Sequence, residues 1–273
     1  RLNSESFKIN DIPAVKWVEN VKAELIDMPN VRLMSRTTVV GSYDHGIYTA
    51  LERVSDHVKI PQKGKARQIF WRIYSKQSIL CSGAIERPIA FSNNDRPGIM
   101  LASAVRSYVN RWGVVPGRNV VIFTNNDNGH LTAYDLIKKG INVSAIIDTR
   151  PNAHDINGTE LIPGAHVINS KGRMRLKEVL VRLPSGKIRQ IKCDTLAISG
   201  GWNPNIALTC HQNGRPAWSD KLMCFIPGKN LPEGQLCAGA ANGDFSTTSA
   251  LLSGEEKAIK ALANIGINIE PSN

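Results

Sequence analysis

The sequence predicts an α/β protein with a Rossmann-like, nucleotide-binding architecture. Residues 119–147 contain a buried apolar strand, a helix and a second buried apolar strand, a succession typical of a parallel sheet. Three apolar strands run directly into turns of small residues, at 81–84, 199–201 and 238–240. Small residues at the carboxyl end of a parallel strand let a phosphate approach the backbone. These turns therefore predict nucleotide binding.

The first 112 residues are predicted to place short strands between two helices. Apolar residues at three- and four-residue steps indicate a helix over 13–28. A second helix, over 97–112, has Pro97 at its start and Gly113 just past its end. Runs of β-branched and apolar residues predict the strands between them, over 31–33, 37–40, 47–54, 69–74 and 78–81.

The rest of the chain continues the α/β pattern. A strand over 119–123, a turn over 124–129, a helix over 130–139 and a strand over 142–147 form the clearest βαβ unit. The final helix spans 246–263. Further strands are predicted at Val167 and over 174–183, 188–193, 196–198 and 235–238.

Composition excludes several classes of protein. The net charge is +11, but the 34 basic residues are dispersed and only 6% of residues are aromatic, which argues against nucleic-acid binding. The five cysteines form no C-x-x-C pair, so neither a disulfide framework nor a metal site is expected, and a reducing, cytoplasmic setting is favoured. No apolar run is long enough to span a membrane. Without an initiator Met, the chain is expected to be part of a longer protein.

The turn of the βαβ unit lacks most of a dinucleotide fingerprint. Thr124 and Asn126 stand where glycines would admit a pyrophosphate, and only Gly129 matches, at the position needed for helix–strand packing. The unit is therefore expected to keep the fold without its phosphate site. Asp148 lies near the position of a ribose-binding acid, but we interpret it as a solvated strand-end residue.

Several motifs resemble one family over nearly the whole chain. They resemble, in order along the sequence, the alpha subunits of heterotetrameric sarcosine oxidases. The motifs are SYDH (42–45), CSGAIERP (81–88), FSNNDRPGIM (91–100), FTNND (123–127), SGGWNP (199–204) and AGAANG (238–243).

The resemblance implies a two-dinucleotide-binding-domain fold like that of disulfide reductases, with a nested second domain. Residues 1–112 and 206–273 would form the first domain, and 113–205 the inserted, Rossmann-like one. The first βαβ, with the main glycine fingerprint, would be missing because it lies upstream of Arg1.

The resemblance also implies the cofactors and partners. The alpha subunit carries NAD, the beta subunit carries FAD and the sarcosine site, and FMN lies where the two meet. Gamma and delta subunits complete the complex, which demethylates sarcosine with O2 and tetrahydrofolate.

The candidate nucleotide contacts are three pairs of residues, and no catalytic or metal-binding residue is predicted. Charged residues of the loop before the second helix are interpreted as pinning that loop through an ion pair. The predicted contacts are Thr38 and Val39 near the adenine, Gly83 and Ala84, and Gly239 and Ala240; the loop residues are Arg87, Asp95 and Arg96.

Two alternatives remain open at this point. The chain could be a subunit of a related amine, proline or opine dehydrogenase. It could also be a non-catalytic scaffold with a structural nucleotide, an interpretation favoured by the degraded turn at Thr124.

Overall fold

The computed structural model describes residues 8–154 and 158–269, which divide into two compact units. Unit 1 contains the described residues up to Val21 together with those from Glu86 to Trp202. Unit 2 contains Lys22–Ile85 and the described residues from Asn203 onward. Each unit is therefore built from two stretches of the chain.

The helices are α1 (Ala14–Asp27), α2 (Ala102–Trp112), α3 (Asp127–Lys138) and α4 (Thr247–Ala263). The strands are β1 (Lys8–Ile9), β2 (Ile12–Pro13), β3 (Thr37–Tyr43), β4 (Ile47–Arg53), β5 (Gln68–Tyr74), β6 (Ser78–Leu80), β7 (Ala84–Glu86), β8 (Ile99–Leu101), β9 (Asn119–Thr124), β10 (Asn142–Asp148), β11 (Leu161–Pro163), β12 (His166–Lys171), β13 (Glu178–Arg182), β14 (Ile188–Lys192), β15 (Thr195–Ser199), β16 (Trp202–Pro204), β17 (Ala217–Ser219), β18 (Cys224–Ile226) and β19 (Gln235–Cys237).

Unit 1 is built on a parallel five-stranded sheet in the order β11-β10-β9-β15-β8. Successive residues of β9 point to opposite faces, and both faces are buried. Val120 and Ile122 pack with residues of α2 and α3, whereas Val121 and Phe123 pack with the antiparallel sheet β12-β13-β14. The central sheet is thus covered on both faces, which explains its continuous apolar strands.

Unit 2 combines an antiparallel sheet, β3-β4-β5, with a parallel pair, β6 and β19, and a hairpin, β17-β18. The buried side chains of Tyr48 and Gln235, with the half-buried Ser78, join the antiparallel sheet to the parallel pair. The Tyr48 and Ser78 hydroxyls lie 2.5 Å apart, and Gln235 donates to the Tyr48 hydroxyl at 3.1 Å. Helix α4 follows β19 after a short turn.

Most of the predicted elements are confirmed, although α3 begins at Asp127 rather than at residue 130 and β13 at Glu178 rather than at residue 174. Two further predictions are wrong. Residues 31–33 form no strand; the segment is short, and the following Arg36 has a φ of +53°. The helix predicted from residue 97 begins at Ala102, because Ile99–Leu101 pair with β15 as an edge strand. Three consecutive apolar residues fit a buried strand and a buried helix equally well, so periodicity could not separate them.

The division into units differs from the predicted boundaries at the segment 86–112. Ala102, Val105 and Val109 of α2 are buried in the same cluster as residues of β9 and α3. This segment therefore lies in unit 1, whose long stretch is Glu86–Trp202 rather than 113–205, and the described residues up to Val21 lie in the same unit instead of in the first predicted domain. Separately, no helix in residues 8–154 and 158–269 combines the length and apolar character needed to cross a bilayer.

Candidate functional site: a strand-end nucleotide site in unit 2

Two of the small-residue turns lie at the same edge of the parallel pair in unit 2. Strands β6 and β19 are in register, with Leu80 opposite Cys237, so their carboxyl ends are level. Gly83 and Ala84 follow the first strand, and Gly239 and Ala240 follow the second. The carboxyl edge of parallel strands is where α/β folds bind nucleotides.

The turn at Gly83 is fixed from one side and open on the other. The Ser82 hydroxyl donates to the Asn205 carbonyl at 2.5 Å, and the Asn205 amide donates to the Gly83 carbonyl at 2.9 Å. Gly83 has a φ of +73°, and a Cβ placed there would meet no atom within 4 Å. The backbone conformation favours glycine, and the empty space beside it admits close approach by a ligand.

The turn at Gly239 is held against the helix that follows it. The Gly239 amide donates to the Ser253 hydroxyl of α4 at 3.3 Å, and its φ is +62°. Ala240 is half-buried in the short 3-10 turn Gly239–Asn242. Ser246 caps α4 by accepting from the Ser249 amide at 3.0 Å. The turn is therefore attached to α4 by a hydrogen bond and presents small residues.

The cysteines beside these turns are held as thiols. Desolvation raises the pKa of Cys81, and burial raises the pKa of Cys237 to about 11 despite the opposing effect of Lys257. A thiolate is the nucleophilic form of cysteine. This edge of the sheet therefore offers a binding surface and no activated sulfur.

Thr38 and Val39 lie elsewhere in unit 2, on the exposed part of β3. They pair with Leu51 and Ala50 of β4 in the antiparallel sheet. The structure thus brings four of the six predicted contacts to one sheet edge and leaves these two on a separate sheet. The role of all six in binding stays a prediction.

The βαβ turn of unit 1 is filled by its own side chains. The Thr124 hydroxyl donates to the Asn126 carbonyl at 2.8 Å and accepts from the Asn126 amide at 3.1 Å. Asn126 caps α3 by accepting from the Asn128 amide. A Cβ on Gly129 would lie 2.4 Å from that of Thr124, so glycine is required for the helix to approach the strand.

The interpretation of Asp148 as solvated is wrong. The residue is 0% exposed, and its carboxylate lies 2.8 Å from both His130 Nε2 and an Arg150 guanidinium nitrogen. Burial alone raises the pKa of the Asp148 carboxyl, but hydrogen bonds from His130 and Arg150 outweigh burial and lower it to about 2. The sequence analysis did not identify His130 as a partner of Asp148. Arg150, two residues after Asp148, could have indicated an ion pair with it.

In the described residues, Arg96 pins the loop before α2 through neutral acceptors rather than through an ion pair with Asp95. Arg96 donates to the Ser170 hydroxyl at 3.1 Å and to the carbonyls of Gly172 and Arg173, and Asp95 makes none of these contacts. Arg87 donates to the Gly200 carbonyl at 3.2 Å. Neutral acceptors on neighbouring turns therefore hold the Arg96 guanidinium group.

Two solved oxidoreductase structures are similar to this chain in fold. The L-proline dehydrogenase of P. horikoshii aligns with a TM-score of 0.71 and 20% identity, over 99% of this chain and 49% of that one. The T. acidophilum thioredoxin reductase aligns with a TM-score of 0.68 and 14% identity, over 97% of this chain and 86% of that one. At these identities the likeness concerns the fold, and it confirms the predicted α/β fold class.

The sequence comparison is more specific. The chain is 37% identical over 99% of its length to the sarcosine oxidase subunit alpha of Rhizobium meliloti (strain 1021), and 36% identical over 90% to that of Corynebacterium sp. (strain U-96). These matches confirm the resemblance inferred from the motifs. The chain spans 27% of the length of each relative. No protein-family model matches it.

Proposed function

We propose that this chain is the nucleotide-binding central part of an alpha subunit of a multi-subunit, flavin-dependent amine oxidoreductase. The observation that carries the proposal is the 37% identity to a sarcosine oxidase subunit alpha over 99% of the chain. On this proposal the substrate of the whole complex is sarcosine, which is demethylated to glycine with O2 and tetrahydrofolate. Beta, gamma and delta subunits are the proposed partners, and the cytoplasm is the proposed location.

The proposed ligand of this chain is NAD, bound in unit 2 at the turns of Gly83 and Gly239. Both turns follow level parallel strands, and the space beside Gly83 is open, so the residues present fit a phosphate approaching the backbone. Unit 1 would be the second Rossmann-like domain, with its turn filled by Thr124 and Asn126.

The FAD and FMN proposed for the complex would supply the two-electron oxidation of the amine. This chain would bind and orient a nucleotide through backbone amides and small side chains. We assign no catalytic or metal-ligating residue to the described part of the chain, consistent with thiols whose raised pKa keeps them protonated.

The test is to identify the nucleotides that the full-length subunit and its partners release on denaturation. Mass spectrometry should find NAD together with FAD and FMN, and the complex should produce peroxide when sarcosine is added. Absence of NAD would contradict the nucleotide assignment. Activity with proline or an opine, and none with sarcosine, would contradict the substrate.

A matched pair of variants locates the nucleotide. Gly83→Val places a branched side chain in the open space, and it should reduce the NAD content by about tenfold or more, because backbone approach is blocked. Gly64→Val is the control, since Gly64 has a similar φ of +81° and equally open surroundings in the same unit. Equal NAD content in the two variants would place the nucleotide elsewhere.

A further inference from the structure

Unit 1 has a wide groove at the edge of its parallel sheet where β9 and β15 begin, opposite the turns that follow these two strands. The groove has a volume of about 1020 Å³ and lies beside Asn119, where β9 begins, and Asp194, which precedes β15. Its basic lining residues are Arg118, Arg175, Lys177 and Lys192. All four are exposed, and none forms an ion pair within the part of the chain that the structure describes.

The two acidic residues of the groove are already engaged. The oxygens of Asp194 accept from the backbone amides of Arg118 and Asn119, each at 3.0 Å. Glu178 pairs with Lys171 at 3.1 Å. The free charge facing solvent is therefore positive, in a chain whose net charge is +11.

We propose that this groove docks an acidic segment of a partner protein. The positive charge of the groove favours an acidic partner, since clustered cations attract carboxylates and repel basic side chains. The lining also includes Val115, which is 51% exposed and offers an apolar contact to a peptide. Among the described residues that line it, the groove has no aromatic side chain on which a base could stack. A peptide fits these features better than a nucleic acid.

The test uses fluorescein-labelled hexaglutamate titrated into the full-length subunit, with binding followed by fluorescence anisotropy. Binding should be detectable at low salt and weaken as salt screens the charges. The triple variant Arg118→Glu, Lys177→Glu, Lys192→Glu should bind at least about tenfold more weakly. The control variant Lys59→Glu, Lys63→Glu, Lys65→Glu changes the net charge equally on an exposed loop of unit 2 and should bind as the wild type does.

Carbodiimide cross-linking gives a second readout that does not depend on the variants. Hexaglutamate should attach to Lys177 and Lys192 in preference to the other lysines. The proposal is overturned if hexaglutamate does not bind at low salt, if both triple variants lose binding equally, or if the cross-links lie outside the groove. It is also overturned if a labelled hexathymidine binds through the groove more tightly than the peptide.

Discussion

At the scale of single residues, Asp148 is a fully buried acidic residue that contacts two basic side chains. Its carboxylate is 0% exposed and binds Arg150 and His130, whose side chain is 1% exposed. Replacing Asp148 by Asn removes the buried anion that His130 and Arg150 contact, while Arg150 keeps its exposed pairing with Asp127. We expect the free energy of unfolding to fall by about 2 kcal/mol, since the substitution weakens charge-assisted hydrogen bonds to a buried group. Urea denaturation of the full-length protein measures this change.

The matched control is Asp127→Asn, which removes the other carboxylate that pairs with Arg150. The Asp127 side chain is 80% exposed, and the pair at 2.8 Å is screened by water. We expect its substitution to change stability by less than about 0.5 kcal/mol. Equal losses in the two variants would show that burial of Asp148 does not set the strength of the interaction.

The Asp148 carboxylate should also make the stability of the protein fall as the pH becomes acidic. Its pKa is about 2 in the folded protein, against an ordinary value of 3.8, so the folded state favours the ionised form. The resulting stability is fully present above about pH 4 and is lost as pH falls towards about 2. The difference in unfolding free energy between wild type and Asp148→Asn should therefore shrink across this window. A difference that stays constant from about pH 5 to about pH 2 would contradict the low folded pKa.

At the scale of elements, Glu86 fixes the start of α2 from a distant position in the sequence. Its side chain is buried, at 4% exposure, and accepts a hydrogen bond from the Ser103 amide at 2.8 Å. Leu101, at the N-cap position, makes no side-chain hydrogen bond to the helix. Glu86→Ala should cost about 2 kcal/mol, because it leaves an amide at the helix start without its acceptor.

Glu86→Gln is the conservative comparison, since its amide oxygen still accepts from Ser103 but carries no charge. It should lose about 0.5 kcal/mol, the part due to the helix dipole. Thermal unfolding of both variants shows which substitution lowers the stability more. Wild-type stability in Glu86→Ala would show that Glu86 does not cap the helix.

Elements could be predicted from the sequence where the local apolar pattern matches the packing. The prediction failed where the conformation depends on pairing with a segment distant in the sequence. The strand–helix–strand over 119–148 is confirmed because β9 and β10 are buried on both faces and read as apolar runs. Residues 99–101 depend on β15 for their strand pairing, and Glu86 depends on α2, which no local pattern reveals. The same holds for the site. The glycine turns could be recognised locally, whereas the level ends of β6 and β19 required the fold.

At the scale of the whole molecule, the two units differ in how they are stabilised. Within residues 8–154 and 158–269, two apolar core clusters, one on each face of the five-stranded sheet, consist of residues in the range 86–202 and so belong to unit 1. In the described residues of unit 2, the parallel sheet has two strands. Regions with few buried apolar contacts open at lower free energy. Unit 2 should therefore be the less stable of the two.

Hydrogen–deuterium exchange tests this difference and the nucleotide site together. Peptides covering β9, β10 and β15 should exchange slowest, and peptides covering β6 and β19 should exchange faster. Because a ligand stabilises the state that binds it, adding NAD should slow exchange over 78–85 and 235–243. Gly83→Val should show the same exchange without NAD and little protection with it. Protection over 119–150 instead would mean that NAD binds unit 1 despite its filled turn, and the proposed assignment of the nucleotide to unit 2 would be wrong.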